Sequence, residues 1–147
     1  MRNGFLLCTL ALFTLAPLSL SARPATEQLG SCMIDSLTGR ERKDLAKWIF
    51  FSMSVHPELE PYVRLSKQDR LESDQFMGAL VTRLMTQDCP SQTKAVLQEG
   101  SYALEQAFGL VGEVAMQEIM ISDDVEAALG RFERHMDYDA FSTLSED

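Results

Sequence analysis

The sequence predicts an all-α fold, a compact bundle of four or five helices whose first two form an antiparallel hairpin stapled by one disulfide. Three observations lead there. Apolar residues recur at three- and four-residue spacing along three long stretches, which marks one face of a helix. Two of those stretches open on a Thr or Ser followed three residues later by a carboxylate, a pair that caps a helix reciprocally. No alternation of apolar and polar residues is long enough for a strand, and there is no internal repeat or low-complexity segment.

The chain has 147 residues. Arg2 and the apolar run 5–16, broken by Pro17 and followed by the small residues Ser19, Ser21 and Ala22, form a leader of the secretory type. Cleavage fits after Ser21 or Ala22, and Ala22 is preferred. The run is too short for a membrane span. Cys8 lies too deep in it to be a lipid-attachment cysteine. The expected organisation is a signal peptide at 1–22, a loose polar lead-in at 23–35, a helical domain at 36–136 and an acidic tail at 137–147. The expected location is the periplasm or the exterior, with no stable membrane insertion after cleavage.

Without its leader the chain keeps only Cys32 and Cys89. A pair of cysteines in an exported protein is most simply a disulfide. Free thiols or a metal pair are the alternatives, and a metal lacks a nearby His or third thiol.

The first helix is expected over 38–55. Thr38 and Glu41 make its capping box, with Asp35 and Ser36 as an upstream alternative. Leu45, Trp48, Ile49 and Met53 share one face, and Phe50 and Phe51 widen it, so this helix should be covered on more than one side and lie centrally. His56-Pro57 ends it, because the residue before proline is pushed out of the helical region. A connection with room for one helical turn between Pro57 and Pro61 follows.

Ser66 and Asp69 open the second helix, expected to run to about Gln87 before Asp88-Cys89-Pro90 stops it. Two helices joined by a modest loop pack antiparallel. That places Cys32, at the start of the first, beside Cys89, at the end of the second.

Ser91 is the expected cap of a third segment reaching about Met120, with a break at Glu99-Gly100-Ser101 because glycine costs about 1 kcal/mol inside a helix. Beyond the break, Leu104, Ala107, Phe108, Val111, Val114, Ala115 and Ile119 form an apolar face. Gly109 and Gly112 either admit a close neighbour or are tolerated on the outer side; close packing is preferred. Asp123 and Glu126 resemble another cap, and a last helix is expected over 124–135. Tyr138, Phe141 and Leu144 are candidate docking points of the tail.

Charge is unevenly spread. Residues 23–94 carry ten Lys and Arg against ten Asp and Glu, whereas 95–147 carry two against twelve. An acidic half argues against nucleic acid or an anionic membrane as partner and leaves another protein, or simple solubility, as its use. The one basic cluster, Arg40, Arg42, Lys43 and Lys47, is a solvated helix face or a dock for an acidic partner or for the chain's own acidic half.

Chemistry is hard to place. His56 and His135 sit at helix ends, and no His-Glu-x-x-His, Cys-x-x-Cys, calcium loop, phosphate loop or Gly-x-Ser-x-Gly elbow occurs. No catalytic residue, metal or cofactor is therefore assigned. Met53, Met77, Met85, Met116, Met120 and Met136 fall on or near apolar stripes, and flexible thioethers suit an adaptable core or an adaptable groove. Core filling is preferred. A groove, if formed, belongs between the Trp48 and Phe51 helix and the Phe108 to Met116 face, so these four residues are the candidate interaction surface.

The opening Cys32-x-x-Asp35-Ser36, then Thr38-Gly39-x-x-Arg42-Lys43-x-Leu45-Ala46-x-Trp48, resembles a group of small exported proteobacterial proteins. Asp88-Cys89-Pro90 and Val114-Ala115-Met116-Gln117-Glu118 are similar to their later segments. The resemblance implies export to the periplasm and use of both cysteines, and it brings no activity. The function expected is a non-enzymatic protein-interaction module of the chaperone, inhibitor or immunity kind. A carrier of a small apolar ligand in a Met- and Phe-lined cavity is the alternative, and an enzyme a distant third.

Overall fold

The computed structural model describes residues 23–142 and 144, so the proposed leader and the last residues of the tail lie outside the described residues. Seven α-helices and no strand occur among the described residues: α1 Ala25–Ser36, α2 Gly39–Met53, α3 Lys67–Arg83, α4 Pro90–Glu99, α5 Ser101–Met120, α6 Asp123–Leu129 and α7 Tyr138–Ser142. The all-α expectation holds. None of these helices is long and apolar enough to cross a membrane.

The two capping boxes form as expected. Thr38 Oγ1 accepts the Glu41 N–H at 3.2 Å, and Glu41 Oε2 accepts the Thr38 N–H at 2.9 Å. Ser66 and Asp69 make the same exchange at 3.1 and 2.9 Å. Each cap is worth about 1 kcal/mol.

Between those caps α2 and α3 run antiparallel. Contacts pair Glu41 with Arg83 at 2.8 Å, Trp48 Nε1 with Asp74 at 2.9 Å, and the Phe51 carbonyl with Arg70 at 2.7 Å, in opposite order along the two helices. Arg70 is what finishes α2: its guanidinium donates to the Phe51 carbonyl and to the buried Ser54 hydroxyl, next to the negative helix end.

The lead-in expected at 23–35 is instead α1, and it carries the deepest packing. Ala25, Leu29, Met33 and Leu37 follow one another at every fourth position, and Leu29 and Met33 are fully buried. Each such side chain contributes roughly 1.5–3 kcal/mol. Pro24 does not break this helix but precedes it, and its carbonyl accepts the Gln28 N–H at 3.1 Å.

The hub is also displaced from the expectation. The Trp48 helix, α2, touches α3 and α5, whereas α5 touches α1, α2, α4 and α6. The face α5 turns inward is Ala103, Ala107, Val111 and Ala115, small side chains one helical turn apart that let neighbours come close. Among the described glycines, the one packed closely is Gly30 of α1, where a Cβ would lie 2.6 Å from Leu110 Cδ1 and 3.2 Å from Leu110 Cβ. Close packing was expected at Gly109 and Gly112, yet a Cβ at either would meet nothing within 4 Å.

Cys32 and Cys89 are disulfide-bonded, with their Cα atoms 6.0 Å apart. The tie differs from the expected one in its first anchor: Cys32 lies within α1, so the bond joins α1 to the junction of α3 and α4 and not to the start of the Trp48 helix. Regular α3 stops at Arg83, short of the expected Gln87, and a π-helical turn, Leu84–Asp88, brings fully buried Cys89 round through its N–H to the Leu84 carbonyl at 2.8 Å.

Cys89 is then the N-cap of α4, with Pro90 at its first position, in place of the expected cap at Ser91. The expected break between α4 and α5 is real: Gly100 has φ +104°, a conformation that favours glycine. Further on, Ser122 and not Asp123 precedes α6 and makes no side-chain cap bond. The last helix expected over 124–135 divides into α6 and a 3-10 stretch, Gly130–His135. In the tail, Tyr138 and Phe141 face each other with ring centroids 6.3 Å apart, and both stay exposed.

Candidate interaction surface

Helices α3 and α5 both lean on α2 but not on each other. The gap between them is an apolar groove of about 420 Å³. Leu45, Trp48 and Ile49 of α2 form its floor, Met77, Leu80 and Val81 one wall, and Phe108, Gly109, Val111 and Gly112 the other. The two glycines leave this gap open, since a side chain at either would project into space that nothing else fills. The Trp48 indole N–H is satisfied by Asp74 at the rim, so the ring presents its apolar face to the groove without an unmet donor.

A second apolar cleft, of about 320 Å³, adjoins the first at Ile49. Phe50 and Met53 of α2 face Met116 and Ile119 of α5 across it. One turn further along α5, Met120 enters a third and wider cleft of about 710 Å³, shared with Leu129 and Phe132 and bordered by Asp123, Glu126 and Glu133. Phe50, Met53, Met116, Met120, Leu129 and Phe132 are all exposed, Phe132 by 62 %. An apolar strip thus runs from the end of α2 across α5 to the 3-10 stretch.

The four residues expected to form a surface are divided by this geometry. Trp48 and Phe108 meet in the first groove and Met116 lies in the adjoining cleft. Phe51 points elsewhere, into a cleft with Arg40, Asp44, Lys47, Asp69, Glu72, Ser73 and Phe76. The methionines also divide. Met33 and Met77 fill the core, while Met53, Met116 and Met120 line the strip. Phe50, Met53, Met120, Leu129 and Phe132 read in the sequence as parts of apolar helix faces and not as part of the candidate surface; the spacing of Phe50 and Met53, and of Met116 and Met120, is the signal that joins them to it.

The basic cluster is largely occupied locally. Lys47 pairs with Asp44 at 2.8 Å, Arg40 with Asp44 at 3.7 Å, and Arg42 donates to the Ile34 carbonyl at 3.3 Å. Lys43 reaches Glu118 at 3.7 Å, the one ion pair between this cluster and the acidic half among the described residues. At the start of α2, partial burial raises the Glu41 pKa, but the hydrogen bonds from Thr38 and the charge of Arg83 outweigh it and hold the carboxyl below the ordinary glutamate range. The Ser66 hydroxyl and N–H likewise hold Asp69 low.

His56 accepts the Glu58 N–H through Nδ1 at 3.2 Å, a local turn contact. Among the described residues no three His, Cys, Asp or Glu side chains come together in an arrangement that could hold a metal ion. No family model, curated protein or solved structure matches the chain.

Proposed function

We propose that this is an exported helical interaction module without chemistry of its own, which docks an apolar segment of another protein on the strip formed by α2, α5 and the 3-10 stretch. The observation that supports the reading is continuity: two apolar clefts meet at Ile49, and Met116 and Met120 carry the second into a third. Single exposed apolar residues are common on protein surfaces, whereas a contiguous strip marks a contact site. Thioether side chains repack easily around a partner's side chains. The Trp48 and Phe108 groove suits a partner's apolar anchor, the usual centre of a protein contact. The disulfide and the leader-like start favour action in the periplasm or outside the cell.

A carrier of a small apolar molecule is the second reading, favoured by the depth of that groove, which reaches the buried Leu45, Met77, Leu80 and Val111. A photo-crosslinking residue placed at Phe50, with Leu97 of α4 as the control position, separates the two in cells. A docking module gives one dominant protein adduct from position 50 and none from position 97. Absence of any protein adduct, with a small apolar molecule bound in native mass spectra, would establish the carrier and overturn docking.

A further inference from the structure

We infer that the segment docked on the strip is a basic amphipathic helix, an inference that rests on the docking reading above and names the partner's chemistry. Charge complementarity around an apolar floor favours such a segment. The cleft of Met120, Leu129 and Phe132 is bordered by Asp123, Glu126 and Glu133, and no Lys or Arg lines it. Arg131 and Arg134 belong to the same 3-10 stretch but are not among its lining residues.

These carboxylates make no ion pair among the described residues, unlike Asp44, Glu41 and Asp88, which are held by Lys47, Arg40 and Arg83. The apolar floor contributes contact area and the free carboxylates a field that attracts cations. A segment that satisfies both presents apolar residues at three- and four-residue spacing with Lys or Arg flanking them, which is a helix laid in a groove. The segment 123–142 adds to the case, because none of its residues is buried. Leu129 and Phe132 of this segment are exposed and can meet a partner.

The test uses three synthetic amphipathic helical peptides of about five turns, alike in their leucine face and carrying Lys, Gln or Glu on the polar face. Titration of each into the exported, oxidised protein gives the affinities. The Lys peptide is expected to bind roughly tenfold or more tightly than the Gln peptide, with an affinity that falls as salt is added, and the Glu peptide not at all. The variant D123N/E126Q/E133Q should lose roughly tenfold for the Lys peptide and retain its affinity for the Gln peptide, a control that reports an intact floor.

Equal binding of all three peptides would overturn the charge selection and leave docking standing. Binding of none would overturn both. A stable dimer in sedimentation that Phe132→Ser dissociates would make a second copy the occupant and overturn the inference. So would binding of neutral phosphatidylcholine vesicles in place of the peptides.

Discussion

Replacing Gly30 and Gly109 separately by alanine tests the packing at the hub of the fold. Both lie inside helices, so both variants gain the same helix propensity, about 1 kcal/mol. They differ only in what the new methyl meets. At Gly109 there is nothing within 4 Å. At Gly30 the methyl would sit 2.6 Å from Leu110 Cδ1 and 3.2 Å from Leu110 Cβ. The δ-methyl can turn away, but the β-carbon moves only if α1 and α5 separate, and such overpacking costs about 1–3 kcal/mol. The two variants should therefore differ by about that amount, with Gly109→Ala more stable than the parent. For a domain of this size the gap is roughly 4–12 °C in Tm. Thermal unfolding followed by circular dichroism, on oxidised protein, measures it. Equal Tm values, or a more stable Gly30→Ala, would refute the assigned approach of α1 to α5.

Other expectations follow from single contacts. Thiol labelling of the oxidised, denatured protein should find neither Cys32 nor Cys89 reactive, and Cys32→Ser should cost about 2–4 kcal/mol in urea unfolding, against up to about 4 kcal/mol from loop closure. Arg70→Met keeps the aliphatic stem but removes both donors to the end of α2, and should cost about 1.5–3 kcal/mol by the same assay. Because the Glu41 pKa is lowered on folding, its contribution is present above the unfolded value and is lost as pH falls through the folded one. Glu41→Gln should therefore flatten the loss of stability below about pH 4.5, seen as a smaller shift in urea midpoint between about pH 6 and about pH 3.5.

How far the structure was legible in the sequence depended on how local the signal was. The starts of α2 and α3 are written in four residues, Thr38 with Glu41 and Ser66 with Asp69, because a capping box is satisfied within a single turn. The break at Gly100 is local in the same sense. Helix α1 is hard to read because its polar residues, Thr26, Glu27, Gln28 and Ser31, outweigh a narrow apolar ladder, and the helices that ladder packs on, α4 and α5, lie far along the chain.

The same limit governs the surface. Trp48 and Phe108 were readable as partners because both sit on strong apolar faces. The sorting of Met33 and Met77 to the core and Met53, Met116 and Met120 to the strip depends on which helices pack against one another, which no spacing within a single helix records. Gly109 and Gly112 illustrate it best. Glycine pairs in helices usually admit a neighbour, but here the neighbour is missing and a groove stands in its place.

The most direct measurement of the docking strip is a methyl spectrum of protein labelled at the methionine ε-carbons, recorded as the Lys-faced amphipathic peptide is added. Met53, Met116 and Met120 are expected to shift together while Met33, fully buried in α1, holds still. A shift confined to Met33, or no shift at saturating peptide, would contradict docking on the strip.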